Sequence, residues 1–172
     1  MTQRVCNVLF LCTGNSARSI IAEAVLEEAG KGRFRAYSAG SHPNGKVNPV
    51  VAAHLESVGL STASARSKSW DEFATADAPT MDLVITVCDA AAGEACPVWP
   101  GAPARAHWGA PDPAAHMDDP AKARAVAREV HRLMQRRIAM LIALPVETLD
   151  RATLQAEANA IAERTRATLQ GA

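Results

Sequence analysis

One stretch decides which fold we expect for this chain: Cys12-Thr13-Gly14-Asn15-Ser16-Ala17-Arg18-Ser19. The apolar run 8–11 precedes it and predicts a strand, and the apolar run 20–26 follows it and predicts a helix. A tight loop between a strand and a helix points several backbone N–H groups and the positive end of the helix dipole at one place. Such a place suits an oxyanion, and we therefore predict that residues 13–19 bind one.

Two side chains of this loop carry the chemistry that an oxyanion site needs. Cys12 ends the strand where a thiolate can attack the anion, and the planar guanidinium of Arg18 can grip two of its oxygens. The helix N-terminus and Arg18 should favour the thiolate, so we expect a depressed pKa for Cys12 and a hydrogen bond from Ser19 to its sulfur. Gly14 is expected to supply unusual backbone angles, and Asn15 fits a left-handed turn position. The alternative is a buried structural cysteine on the same turn.

Strands and helices alternate along the rest of the chain. The apolar patterns predict strands at 5–11, 34–38, 82–87 and 105–108. They predict helices at 18–30, 48–58, 120–143 and 148–169, with a helical turn near 69–74. Asn48 and Pro49 suit the cap and first position of the second helix, whereas the glycines and prolines of 93–103 should interrupt regular structure. The alternation predicts an α/β fold with a parallel sheet.

Two further polar residues follow predicted strands. Ligands of parallel sheets bind at the carboxyl ends of the strands, so Cys88 and Asp112 should approach Cys12 at that edge. Asp112 lies between Pro111 and Pro113, which stiffen the loop that presents it. A carboxyl beside a bound anion can act as a general acid. The alternative is a turn aspartate that satisfies only its local backbone.

Composition narrows the possible partners. The 172 residues include 18 Lys and Arg against 18 Asp and Glu, so no net charge favours nucleic acid or a membrane surface. The longest apolar run, 138–146, is too short to cross a bilayer. Several arginines follow a helical spacing and are expected to form a solvated face: Arg124, Arg128, Arg132, Arg136 and Arg137.

The expected compartment decides how the four cysteines are interpreted. The start of the chain lacks the features of a signal peptide, so we expect a cytoplasmic protein and no structural disulfide framework among its four cysteines. Cys6 lies on the first strand and is expected to be structural. No Cys-x2-Cys pair and no metal-binding histidine spacing are present, so no metal site is predicted.

The motifs together resemble those of the low-molecular-weight protein tyrosine phosphatase superfamily, and within it the arsenate reductases. The resemblance rests on the loop 12–19 and on three further stretches, 37–40, 84–88 with Cys96-Pro97, and 107–113. It implies a three-layer fold around a four-stranded parallel sheet. It also implies a catalytic domain at 1–145. Residues 146–172 lie outside the part of the family that the chain resembles, and we expect them to form a helical extension, either packed on the domain or used as an oligomer contact.

The resemblance implies a reaction as well. Asp112 would protonate the leaving oxygen when Cys12 attacks arsenate. Cys88 would then attack Cys12 and release arsenite, and Cys96 would attack Cys88, so that the disulfide migrates outward. Thioredoxin or another thiol reductant would reset the enzyme, and phosphate would compete with arsenate for the loop.

Two alternatives remain open at this point. A phosphatase of the same fold would hydrolyse phosphomonoesters through a Cys12 phospho-enzyme with Asp112 as general acid, and Trp70 is the candidate for its aromatic wall. A non-enzymatic anion or redox sensor is the other alternative, although it would not need Asp112.

The resemblance also bears on potassium, which some members bind beside the loop. Asn15, Glu23 and Ser38 match three of their ligand positions, but Lys68 stands near the fourth, which is acidic in those members. The ammonium group of Lys68 would replace the cation. We therefore expect no cofactor and no potassium dependence.

Overall fold

Four strands form a single parallel sheet. The computed structural model of the chain describes residues 4–93 and 97–170. Its strands are β1 (Cys6–Cys12), β2 (Phe34–Gly40), β3 (Leu83–Thr86) and β4 (Ala104–His107), arranged in the order β2-β1-β3-β4. All three neighbouring pairs are parallel, so the carboxyl ends of the four strands lie at one edge. The predicted α/β class and parallel sheet are confirmed.

Within residues 4–93 and 97–170, five α-helices connect and cover the strands. They are α1 (Arg18–Ala29), α2 (Pro49–Ser57), α3 (Asp89–Gly93), α4 (Pro120–Ile142) and α5 (Arg151–Gln170). Short 3-10 helices span Trp70–Phe73 and Pro113–His116. The predicted cap of α2 is confirmed, because the Asn48 side chain accepts hydrogen bonds from the backbone of Val50 and Val51, and Pro49 occupies the first turn.

Helix α3 was not expected from the sequence. The sequence predicted an interruption of regular structure by the glycines and prolines of 93–103 after the third strand, and it did not predict the helix at Asp89–Gly93. The sulfur of Cys88 accepts a hydrogen bond from the Ala91 backbone N–H at 3.3 Å and so satisfies one free donor of the first turn. The three consecutive alanines that follow Asp89 have high helix propensity.

The sheet buries apolar side chains on both faces. Along β1, Val8 and Phe10 enter a large core under the helices, whereas Leu9 and Leu11 enter a smaller cluster on the opposite face. This alternation follows from the two-residue period of a strand. The smaller cluster also contains Trp99, which is buried. Sheet and coverings thus form the three predicted layers, with β1 in the interior.

Helix α5 packs along β4. The side chains of Gln155 and Asn159 accept hydrogen bonds from the backbone N–H groups of Arg105 and His107, at 3.0 and 3.2 Å. Asn159 also donates to the Arg105 carbonyl at 3.1 Å. The extension therefore lies on the sheet, whereas a domain division at residue 145 stays a prediction. Within the described residues, no helix is both long enough and apolar enough to span a bilayer.

Candidate active site

The loop between β1 and α1 surrounds the sulfur of Cys12. Cys12 is 3% exposed, and its sulfur lies 2.9 Å from the Ser19 hydroxyl oxygen and 3.2 Å from the Asn15 backbone nitrogen, which donates to it. Asn15 has a φ of +46°, so the left-handed position predicted for it is confirmed. Gly14 does not have a positive φ, and the expectation of unusual angles there is wrong because Asn15 makes the turn.

Contacts from distant parts of the chain hold Asn15 in this conformation. Its side-chain oxygen accepts from the Lys68 backbone N–H at 2.9 Å, and its amide nitrogen donates to the Ser19 hydroxyl at 2.8 Å. The Ser67 hydroxyl donates to the Gly14 carbonyl at 3.0 Å. Gly40 ends β2 against the loop, and a Cβ there would collide with the Thr13 carbonyl oxygen. The loop is therefore braced from β2 and from residues 67–68.

The other loop residues lie where the sequence placed them, between the end of β1 and the start of α1. Ser16 and Ala17 are buried, and the Ser16 carbonyl accepts from the Asn48 backbone N–H at 2.9 Å. Ala17 immediately precedes the first residue of α1, and its side chain makes no capping hydrogen bond. An anion at this position would meet the backbone donors of the first helical turn.

The pKa of Cys12 does not follow the prediction. Burial of the sulfur raises the pKa of the thiol, and the hydrogen bonds from Ser19 and Asn15 lower it by less. The net direction is upward, so the expected depressed pKa is wrong in this conformation. The physical reason is desolvation of a thiolate that is almost fully enclosed.

Arg18 reaches from the loop to Asp112. Its Nη1 donates to the Ala110 carbonyl at 3.2 Å, and its Nη2 lies 3.3 Å from Asp112 Oδ2. The other carboxylate oxygen, Asp112 Oδ1, accepts from the Ala114 backbone N–H at 3.0 Å. Asp112 thus caps the 3-10 helix that begins at Pro113 and also faces the guanidinium. The local interpretation of Asp112 as a turn residue corresponds to its bond with Ala114, and its role as a general acid stays a prediction.

Cys88 lies on the same edge of the sheet. Its sulfur is 3.6 Å from the hydroxyl oxygen of Thr13, which follows Cys12 directly, and its side chain is buried. Cys6, Cys12 and Cys88 are free thiols. Cys96 lies outside the described residues, and its part in a relay stays a prediction.

A buried polar group lies behind the loop. The Ser38 hydroxyl donates to Glu23 Oε2 at 2.7 Å, and Lys68 Nζ lies 3.5 Å from the same hydroxyl and donates to the Arg66 carbonyl at 2.9 Å. Burial raises the pKa of Glu23, and the Lys68 charge lowers it; burial lowers the pKa of Lys68, and the Glu23 charge raises it. The ammonium group therefore stands where the sequence suggested, beside Ser38 and Glu23.

Across residues 4–93 and 97–170, no three His, Cys, Asp or Glu side chains cluster closely enough to hold an ion. Two tryptophans make defined packing contacts near the site. Trp108 is fully buried and its indole N–H donates to the Ala158 carbonyl at 2.9 Å, while Trp70 packs edge-on against Trp99.

The chain matches a known protein family over most of its length. The model of the family described as low molecular weight phosphotyrosine protein phosphatase matches residues 7–158 of this chain. The chain belongs to this family. The resemblance predicted from the cysteine loop is thereby confirmed, and the match covers β1 to β4 together with most of the helices.

Within this family, the chain is similar to several arsenate reductases. The enzyme of Bacillus subtilis is 35% identical over 129 residues, covering 75% of this chain and 84% of that protein. The enzyme of Halalkalibacterium halodurans is 36% identical over 122 residues, covering 71% and 79%. The crystal structure of arsenate reductase from Archaeoglobus fulgidus has a TM-score of 0.59 at 30% identity and covers 77% of this chain and 98% of that one.

Sequence reasoning missed some residues that shape the phosphatase-type loop. The brace from Ser67 and the backbone of Lys68 joins positions 53 residues apart, and no local pattern announces it. Gly40 carried a weak signal, because it ends a strand within one of the matching stretches. Its close approach to the loop explains why glycine is needed there.

Proposed function

We propose that this protein reduces arsenate to arsenite through a Cys12 adduct and a cysteine relay. The observation that carries the proposal is the placement of two free thiols around one residue: Cys12 precedes Thr13, and the Cys88 sulfur lies 3.6 Å from the Thr13 hydroxyl. The similarity to named arsenate reductases supports the same reaction.

The first step is an attack on arsenic. The Cys12 thiolate forms a sulfur–arsenic bond while one arsenic–oxygen bond breaks, and the departing oxygen takes a proton from Asp112 and leaves as water. Arg18 and the backbone N–H groups of residues 13–19 would hold the other oxygens. The 3.3 Å contact between Arg18 and Asp112 supports this arrangement, because both groups then face the same ligand.

The second step moves two electrons. The Cys88 thiolate attacks the Cys12 sulfur, a disulfide forms, and the electrons of the sulfur–arsenic bond stay on arsenic. Arsenic(V) thereby becomes arsenic(III) and leaves as arsenite. The start of α3 supports this role, since the hydrogen bond from the Ala91 N–H holds the sulfur of Cys88 at the edge of the sheet where Cys12 and Thr13 lie.

The third step regenerates Cys12. We propose that the Cys96 thiolate attacks the Cys88 sulfur, freeing Cys12 and leaving a Cys88–Cys96 disulfide. Thioredoxin or another small thiol reductant would then reduce that disulfide, and we place the reaction in the cytoplasm, where such reductants keep thiols free.

Hydrolysis of phosphomonoesters is the second candidate. The family match favours it, because the same loop, Arg18 and Asp112 serve a phosphatase. Phosphate would form the same ester with Cys12 but would not take electrons from sulfur, so water would have to release it. Phosphate should therefore compete with arsenate even if the chain is a reductase.

Disulfide mapping separates the two candidates. Reduced protein is incubated with arsenate, with phosphate or with neither, quenched with an alkylating reagent and digested for mass spectrometry. We expect a Cys88–Cys96 disulfide only with arsenate, and a trapped Cys12–Cys88 disulfide in a Cys96→Ser variant. An aryl phosphate assay is run on the same samples.

The matched variant is Cys88→Ser. It should release no arsenite beyond background yet still react at Cys12, because the first step does not use Cys88. Arsenite release by Cys88→Ser at the unaltered rate would contradict the relay. Brisk aryl phosphate hydrolysis with every thiol still free after arsenate treatment would favour the phosphatase.

A further inference from the structure

One arginine of α4 is buried. The sequence grouped Arg137 with four other arginines on a solvated face, and the other four are indeed exposed. Arg137 is only 3% exposed, so that expectation is wrong for this residue. It follows Val130, Leu133 and Met134 at the helical spacings of seven, four and three residues, and those three are also buried. Arg137 therefore belongs to the inward stripe of α4.

The buried guanidinium connects α5 with a loop of the active site. Arg137 Nε donates to the Thr165 hydroxyl oxygen at 2.9 Å, and its Nη1 donates to the Gly109 carbonyl at 3.1 Å. The Thr165 proton is engaged by its own helix, with the Ile161 and Ala162 carbonyls at 3.0 and 3.1 Å. The hydroxyl is therefore oriented as an acceptor toward Arg137.

The loop that Arg137 reaches is the one that carries Asp112. Trp108, just before it, is anchored on α5 through the Ala158 carbonyl. The next carbonyl after Gly109, that of Ala110, accepts from Arg18 at 3.2 Å. Two guanidinium groups from different helices thus hold consecutive carbonyls of one loop, three and two residues before Asp112.

We propose that Arg137, held by Thr165, is a positioning residue that fixes the Asp112 loop for proton transfer. This inference rests on the proposed role of Asp112 as general acid. It assigns the C-terminal helix a part in the reaction, through a residue beyond position 158, where the family match ends.

The charge of Arg137 argues against a role in packing alone. Burial and the charges of Arg166 and Arg136 lower the pKa of Arg137 to about 10, so it remains a cation at neutral pH. Among the residues that the structure describes, no carboxylate forms an ion pair with it. An apolar side chain of similar length would fill the space without desolvating a charge. Such a side chain would lack the two directed N–H donors, one for each partner.

The donors of Arg137 become important when substrate binds. Arg18 contacts Ala110 and Asp112 in this structure, but gripping an oxyanion engages the same guanidinium. Its hold on the Ala110 carbonyl then weakens at the moment when Asp112 must be aligned. The bond from Arg137 to the Gly109 carbonyl does not depend on the anion and keeps the loop in place.

The test uses Thr165, because its variants are conservative. Thr165→Val keeps the shape of the side chain and removes the acceptor, while Thr165→Ser keeps the acceptor. We expect Thr165→Val to lower kcat for arsenate reduction about fivefold, since small misplacements of a catalytic group reduce rates steeply. KM and the inhibition constant of phosphate should change less than about twofold, and Thr165→Ser should recover the kcat of the unaltered chain.

Arg137→Met tests the same bond from the other side. It should lower kcat about tenfold or more, because the loop loses its direct donor. Arg136→Met is its matched control on the exposed face and should leave kcat and KM unchanged. Thermal unfolding of every variant shows whether it is folded at the assay temperature, and the Thr165 pair decides the question if Arg137→Met does not fold.

A double-mutant cycle with Asp112→Asn completes the experiment. If Arg137 and Thr165 act through Asp112, Thr165→Val should lower kcat no further in the Asp112→Asn background. If Asp112→Asn lowers kcat but Thr165→Val does not, or if the two losses multiply independently, the positioning role is overturned and the proposed function stands. If Asp112→Asn leaves kcat unchanged, the general-acid role fails and the positioning role fails with it.

Discussion

Cys6 and Cys12 occupy the two ends of one strand. Both are buried, but the groups around their sulfur atoms differ. Both belong to β1, both lie in the same core cluster, and they are 7% and 3% exposed. Burial and the charge of Asp82 raise the pKa of Cys6 to about 12. Within the described part of the chain, no donor lies within hydrogen-bond distance of its sulfur.

Burial also raises the pKa of Cys12, but the groups around its sulfur are different. The Ser19 hydroxyl and the Asn15 N–H lie next to its sulfur, and both lower the pKa that burial raises. At both ends, β1 places the cysteine side chain in the same buried core cluster. The difference comes from the neighbouring segments, because only the carboxyl end of β1 leads into a loop that collects donors.

Replacing each cysteine is the strongest way to test this contrast. Cys12→Ser should lower arsenate reduction on the order of 10³-fold or more, because the hydroxyl is a far weaker nucleophile than the thiolate. Cys6→Ala should retain kcat within about twofold and lower the free energy of unfolding by about 1 kcal/mol. Steady-state kinetics and denaturant unfolding measure the two effects. Comparable activity losses for both variants would contradict the contrast.

Alkylation of the native protein compares the two thiols directly. With a pKa of about 12, roughly one Cys6 in 10⁴ is a thiolate at pH 8, so it should stay unmodified until the chain is unfolded. Cys12 should react first with iodoacetamide, as followed by mass spectrometry of digests. Equal rates for the two cysteines in folded protein would remove the distinction between the strand ends.

Ser19→Ala should make the surroundings of the Cys12 sulfur more like those of the Cys6 sulfur, because it removes a hydrogen-bond donor. The Ser19 hydroxyl is a donor that lowers the Cys12 pKa, so its removal raises that pKa further and moves the midpoint of the alkylation profile to higher pH. The kcat near neutral pH should fall about tenfold, because a hydrogen bond to a charged group is lost.

Ser57→Ala is the matched control for this variant. Ser57 is an exposed residue of α2 whose hydroxyl donates to a carbonyl of its own helix, so the alkylation profile should not move. A midpoint that stays in place in Ser19→Ala would show that the short contact to the sulfur does not stabilise its thiolate.

The smallest expected effect concerns the ammonium group of Lys68, which lies behind the Cys12 loop. Because Lys68 Nζ lies 3.5 Å from the Ser38 hydroxyl, replacing sodium by potassium should change kcat by less than about 1.5-fold. Lys68→Gln removes the charge and is the matched variant for the same salt exchange. A severalfold potassium response of the unaltered chain would contradict the replacement of the ion by Lys68.

The parts of the site that depend on neighbours in sequence could be predicted. The pattern of residues 8–26 predicts the strand, the turn at Asn15 and the helix. The contact between the Cys12 sulfur and the Ser19 hydroxyl joins residues that are only seven positions apart. The predicted decrease of the Cys12 pKa was wrong, because the burial that raises this pKa depends on the whole fold. The hydrogen bonds from Lys68 to Asn15 and from Arg137 to Thr165 join distant segments, and only the folded chain reveals them.

Two features that we did not predict had a signal in the local sequence. The alanines after Asp89 favour helix α3, but the prediction followed the nearby glycine and prolines instead. Arg137 stood at helical spacing from Val130 and Met134, yet it was grouped by its charge. In both cases the apolar or small neighbours indicated the structure better than the most conspicuous residues did.

The contacts of α5 with β4 have a consequence for how molecules of this protein meet one another. A terminal strand of a sheet leaves a row of backbone groups that can recruit a strand from another molecule and begin aggregation. Here the side chains of Gln155 and Asn159 already occupy the outward groups of Arg105 and His107. The helix thereby closes that margin of the sheet to strand addition by a second molecule.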